Sequence, residues 1–327
     1  MKQLPFIITL LLVLPLRAEE HPTLWLEAGK DRALTVHLTM QEEFRYGVNS
    51  DRNPASCELK TAHRTLASAK LSVMNTQIGM QVSWPLRFDL LNPGRTIEAE
   101  FSIEGKTVRN VIIASPDPFE DRTSWFDRHP IALYDPEGKT TETMEKLQWP
   151  FRPLNSFANL SGVESETIVV GNGISFENSR GLAELLYEKA ATGGRILVLA
   201  PLDAVPLNFE APVYSLQLRE NPRPYFPATS YYRAGEGWQL RNEPGRTMLV
   251  SHSESNSKTG AKYVFHGGPC LLDIVFAVSD DFRAIPAGRI IIEKNLSLPG
   301  PDSPNAVESR YYFKALIEKL SDKGERK

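Results

Sequence analysis

The chain has 327 residues, a formal net charge of −3 and two cysteines. That length is enough for two domains with cores of their own. The mild acidic balance, with no basic tail, argues against a nucleic-acid partner, and two cysteines make neither a disulfide framework nor a cysteine-rich metal site.

The N-terminus opens on Met1-Lys2-Gln3 and then runs apolar over residues 4–16. One positive charge followed by a short apolar run is the pattern of a secretory signal peptide. Residues 1–18 are read as that leader, with cleavage after Ala18, and the protein is expected to be periplasmic or secreted. No later stretch is long and apolar enough to span a bilayer.

Residues 19–114 are expected to form a β-rich domain. Apolar and polar side chains alternate over residues 23–27, 33–39, 87–90 and 96–103, the period of strands with one buried face. Asn92-Pro93-Gly94 and Glu104-Gly105-Lys106 are turn signals, and residues 107–114 close the set as a further strand. Residues 61–70 suit either a helix or a strand. Several strands with short turns predict a small sandwich-like domain.

Ser115-Pro116-Asp117-Pro118 marks the boundary, since prolines do not continue a ladder. Residues 115–327 then change pattern. A short apolar strand over 130–134 ends at Asp135-Pro136, and Thr141 is expected to cap a helix that runs to Trp149. Residues 166–170 form an apolar strand that breaks into Gly171-Asn172-Gly173. Residues 180–191 place Leu182, Leu185, Leu186 and Ala190 on one helical stripe. Gly193-Gly194 ends that helix and leads into the strand 195–200. Strand, helix, double glycine and strand make a βαβ unit.

Further apolar segments lie at 213–218, 247–251, 263–265, 271–278 and 288–293. Asn305 and Glu308 form a capping box for a last helix.

The segment from Ile168-Val169-Val170-Gly171-Asn172-Gly173 through Leu182-Ala183-Glu184-Leu185-Leu186 to Gly193-Gly194-Arg195-Ile196-Leu197-Val198-Leu199 resembles the class I glutamine-amidotransferase-like superfamily. The nearest likeness is to its non-amidotransferase, trehalose-utilisation-like branch. The resemblance implies an amidotransferase-like or flavodoxin-like α/β fold, a largely parallel sheet flanked by helices, behind the small β domain. Thiol enzymes of that superfamily carry a cysteine at a strand-to-helix elbow. The loop after Val170 reads Gly171-Asn172-Gly173-Ile174-Ser175 and has none.

Candidate chemistry is sparse. Cys270 and His266 are four residues apart, within His266-Gly267-Gly268-Pro269-Cys270, but the apolar residues that follow suit a buried thiol better than a nucleophile. His252 stands between two serines, and Asp280-Asp281 lies further on; Ser175 lacks the Gly-x-Ser-x-Gly context of a hydrolase. Asn172, Ser175, Glu177 and Asn178 lie where open parallel sheets bind ligands, beyond the carboxyl ends of the strands. Tyr231, Tyr232 and Trp238, with Arg223 and Arg233, form an aromatic-rich rim suited to sugar stacking or a protein interface. The scattered histidines match no metal motif, and no cofactor is implied. These features point to a non-catalytic exported binding or assembly module with an envelope protein or glycan as partner. The alternative is a hydrolase acting on a carbohydrate or peptide.

Overall fold

A computed structural model describes residues 23–48, 53–77, 79–207, 213–220, 238–243, 246–251, 261–266, 270–280, 283–294, 296, 298, 303 and 306–321; over 213–270 and 278–285 it describes the backbone. The leader, Tyr231, Tyr232, His252 and Asn305 lie outside the described residues. The chain divides into two compact units, Met1–Asp89 with Thr96–Ile113, and Leu90–Arg95 with Ala114–Lys327.

The first unit contains β1 (Thr23–Glu27), β2 (Arg32–Thr39), α1 (Met40–Tyr46), β3 (Ala55–Lys60), β4 (Thr65–Leu71), β5 (Val73–Thr76), β6 (Gly79–Leu86), β7 (Thr96–Ile103) and β8 (Lys106–Ala114). Two sheets form, in the orders β1-β8-β7-β3-β4 and β2-β6-β5. Residues 65–71 thus take the strand option, paired antiparallel to β3. Glu104 (φ 50°) and Gly105 (φ 75°) turn β7 into β8, the left-handed pair that a two-residue hairpin needs.

Two features of this unit depart from expectation. Residues 87–90 are not a strand: β6 stops at Leu86, and Leu90 is 69% exposed, so the alternation there has no core to face. The short helix α1 was not expected, because none of its residues is buried and it has no apolar stripe. It is held from its polar side instead. Thr39 and Glu42 form a reciprocal capping box, and Glu42 pairs with the buried guanidinium of Arg109 at 3.0 Å. Cys57, in β3, is a free, fully buried thiol.

The second unit contains α2 (Arg122–Arg128), β9 (Ile131–Tyr134), α3 (Lys139–Lys146), β10 (Arg152–Pro153), a 3-10 turn (Phe157–Gly162), β11 (Thr167–Val170), α4 (Leu182–Ala191) and β12 (Arg195–Leu199). Beyond them come β13 (Val205–Pro206), β14 (Val213–Glu220), β15 (Trp238–Glu243), β16 (Arg246–Ser251), β17 (Ala261–His266), β18 (Cys270–Asp280), β19 (Arg283–Glu293) and α5 (Ala306–Ser321). The main sheet has seven strands in the order β10-β9-β11-β12-β19-β18-β14. Strands β10, β9, β11, β12 and β19 run parallel; β18 pairs antiparallel with β19, and β14 antiparallel with β18. The architecture is therefore mixed α/β. A second, smaller sheet has four strands in the order β13-β15-β16-β17.

The core lies on both faces of the main sheet. Ile168 and Val170 join Leu182, Leu186 and Tyr187 of α4 on one face. Val169, Leu133 and Leu197 join Met144 of α3 and Phe313, Leu316 and Ile317 of α5 on the other. Strands buried on both sides read as continuous apolar runs, as Ile196-Leu197-Val198-Leu199 does. Gly288 allows the edge of β19 to approach the end of α4, since a β-carbon there would stand 2.3 Å from the Ala190 carbonyl oxygen.

Helix α3 begins at Lys139, after Gly138 (φ 73°), and ends at Lys146. Thr141 is not its cap: its N–H donates to the Asp135 carboxylate at 2.7 Å. The helix stops short of Trp149, where Gln148 takes a left-handed φ of 55°. Helix α4 starts two residues later than expected, at Leu182, after Gly181 (φ 85°). Among the described residues no helix is long and apolar enough to cross a membrane.

Candidate functional site: the carboxyl edge of the main sheet

The parallel strands deliver their carboxyl ends to one edge. There β9 leads into Asp135-Pro136-Glu137-Gly138, β11 into Gly171-Asn172-Gly173, β12 into Ala200-Pro201-Leu202-Asp203, and β19 into Lys294. The connection after β9 passes through α3 to β10 on one side. The connection after β11 passes through α4 to β12 on the other. A sheet whose connections part in this way opens a crevice between the two strand ends. Here the connections part between β9 and β11.

Hydrogen bonds tie the loops together. Gly171 N–H donates to the Tyr134 carbonyl at 2.8 Å and Gly173 N–H to the Ala200 carbonyl at 3.1 Å. Asn172 N–H donates to Thr140 Oγ1 at 2.8 Å, and Thr140 is buried. Asp135 lies so close to Gly171 that a β-carbon there would be 2.2 Å from its Oδ1. That oxygen is buried and has no hydrogen-bond partner.

Ser175, the serine of the β11 loop, is engaged on both sides. Its hydroxyl donates to Asp203 Oδ2 in a short hydrogen bond and accepts the Asn178 N–H at 3.1 Å. The same Asp203 carboxylate accepts the N–H groups of Phe176 at 2.8 Å and Glu177 at 3.2 Å. Behind it, the buried Lys294 ammonium donates to the Asp203 carbonyl at 3.0 Å. The Asp203 carboxylate thus holds the Ser175 hydroxyl and two backbone N–H groups of the same turn.

Ala200 follows β12 with φ 33°, a strained position for a residue other than glycine. It carries only a methyl group, and Pro201 after it has no N–H to offer an oxyanion.

The structure brings Asn172, Ser175, Glu177 and Asn178 together at this edge, through Thr140 and Asp203. It does not unite the thiol candidates in one element. His266 ends β17 of the smaller sheet, opposite Arg246, whereas Cys270 begins β18 of the main sheet, opposite Glu220; their side chains lie outside the described residues. Trp238 opens β15 opposite Ser251, and its side chain is likewise outside the description. Sequence reasoning missed Asp135, Ala200 and Asp203. The Asp135-Pro136-x-Gly138 turn directly after a strand was the one signal available for the first of these. Among the described residues no group of three or more histidine, cysteine, aspartate or glutamate side chains could hold a metal.

No protein-family model matches the chain, and no curated protein matches it. Among solved structures, amylomaltase from Corynebacterium glutamicum aligns with a TM-score of 0.21 and 11% identity, over 48% of this chain and 22% of that chain. The chain thus spans about a fifth of that enzyme, and a likeness at this level carries no argument about fold or activity.

Proposed function

We propose that this protein is a non-catalytic, exported binding or assembly module of the cell envelope, recognising a glycan or an envelope protein at the carboxyl edge of its α/β unit. In this reading that unit belongs to the amidotransferase-like class, and a sandwich-like β unit precedes it. The parallel strands covered by helices on both faces support the first assignment, and the two sheets of the first unit support the second.

The observation that carries the proposal is the Ser175–Asp203 lock. The serine at the edge spends its proton on a carboxylate already bound by two backbone N–H groups. The methyl group of Ala200 on the strained turn after β12 supports the same reading, because nucleophiles of α/β enzymes sit on strained turns of this kind. The signal-like leader supports export.

A panel of chromogenic glycosides, esters and peptides tests the proposal. The expected result is no turnover by the purified protein, together with its retention on immobilised envelope glycan or on an envelope protein. Turnover that disappears in S175A overturns it.

A further inference from the structure

We propose that residues 39–47 form a latch on the first unit, held shut by the Glu42 carboxylate, which opens locally while the strands beneath it stay folded.

The segment is anchored at both ends and exposed between them. Leu38 before it and Val48 after it are buried, whereas no residue of α1 is. The helix also docks by the unusual side. Surface helices ordinarily bury an apolar stripe, and that packing supplies most of their stability. In α1 the apolar residues one turn apart, Met40 and Phe44, are 63% and 89% exposed. Seven residues are too few to hold a helix by backbone hydrogen bonds alone.

One carboxylate supplies the hold twice over. Glu42 Oε2 accepts the Thr39 N–H at 2.9 Å and so closes the start of the helix. Its Oε1 pairs with Arg109 Nη2 of β8 at 3.0 Å. The Arg109 side chain is buried and fixed to the strands, because Nη1 donates to the Val108 carbonyl at 2.8 Å and Nη2 to the His37 carbonyl at 2.5 Å. The cation therefore stays with the sheet, and Glu42 brings the helix to it. Releasing Glu42 uncaps α1 and undocks it in one step, and uncovers the guanidinium.

The latch is sensitive to acid through the same group. Helix α1 packs on β2 and β6; β6 has no ionisable residue, β2 has Arg32 and His37, and Glu43 and Arg45 stand beside Glu42 on the helix itself. Arg109 is the charge paired with the carboxylate. Burial pushes Glu42 up, but the Thr39 N–H and Arg109 outweigh it and hold the group below the usual carboxylate range. The open segment thus takes up the proton first. Closure is fully favoured above about pH 4.5 and weakens as pH falls through the folded value.

Hydrogen–deuterium exchange of the whole chain, read by NMR or mass spectrometry, tests the proposal. In the wild type the α1 amides should exchange at least about tenfold faster than those of β2, β6 and β8, as a locally opening segment does. E42Q keeps a side chain able to cap the helix and loses the ion pair; T39A loses the cap and keeps the ion pair. Each should speed α1 exchange further, E42Q by about tenfold, and leave the three strands unchanged. Protection of α1 relative to the strands should fall between pH 5 and 3 in the wild type and stay level in E42Q. Wild-type α1 amides that exchange together with the strands would show that the segment opens only with the whole unit, and overturn the proposal. So would α1 exchange unchanged in E42Q, or strands accelerated equally with it.

Discussion

Arg289 grips Asp273 with two hydrogen bonds of 2.6 Å, one to each carboxylate oxygen, across the antiparallel pair β18–β19. Lys319 of α5 adds a third contact at 2.9 Å, and Arg289 also donates to the Lys319 carbonyl at 2.8 Å. The cluster joins the last helix to the sheet around a buried carboxylate, with Arg289 and Lys319 partly exposed. Burial pushes the Asp273 carboxyl up, but the hydrogen bonds and charges of Arg289 and Lys319 outweigh it and hold the group below the usual carboxylate range.

Removing one partner of a buried ion pair leaves the other charge uncompensated. D273A should therefore cost about 3–5 kcal/mol in denaturant unfolding. The pH dependence follows from the sign of the shift. The unfolded chain takes up the proton first, so the stability Asp273 contributes is present above about pH 4 and is lost as pH falls through its folded value. Midpoints measured between pH 3 and 6 should show an acid loss that D273A lacks.

A second titration concerns His129, near the same end of α5. His129 Nδ1 lies 2.9 Å from Ser321 Oγ in the last turn of α5, and the ring packs on Trp125 with centroids 4.7 Å apart. Burial lowers its pKa; Glu318 opposes this, while Arg128, Arg195 and Lys314 add to the lowering. With the folded value depressed, the unfolded state binds the proton first. Stability should fall as pH drops below about 6.5 and level off below the folded value. The slope between pH 5 and 7 in thermal unfolding should diminish in H129Q. An unchanged slope would remove His129 as its source.

The loop lock makes a separate prediction. D203A strands the N–H groups of Phe176 and Glu177 and the Ser175 hydroxyl, and should cost about 1–3 kcal/mol. S175A removes one donor and should cost less. Because the two share one hydrogen bond, the double variant should be less destabilised than the sum of the two. Additive losses in chemical denaturation would show that the lock contributes nothing as a pair.

The export reading has its own readout. N-terminal sequencing of the protein recovered from an expressing cell's envelope fraction or medium should begin at Glu19. An N-terminus at Met1 in the cytoplasmic fraction would contradict it.

Much of the fold is legible in the sequence where burial imposes a period. Residues 23–27 and 96–103 are strands as their alternation predicts, and the apolar runs around Ile168 and Ile196 become central strands. Alternation over 87–90 misleads because no core faces it. Helix α1 escapes a search for apolar stripes, although its capping box stands in plain view at Thr39-x-x-Glu42.

The site is less legible for a different reason. Strand ends show where a loop opens, so Asn172 and Ser175 could be placed at the edge. Their partners could not, because Asp203 is 28 residues from Ser175 and Thr140 is 32 from Asn172. Only the order in which strands pair brings such residues together.

Calorimetry tests the central claim most directly. Envelope glycan fragments or envelope-protein peptides titrated into the protein should give heat that saturates once per site and then ceases, equally in the wild type and S175A. Continuous heat flow proportional to protein concentration, lost in S175A, would mean that bonds are being broken and would contradict a binding role.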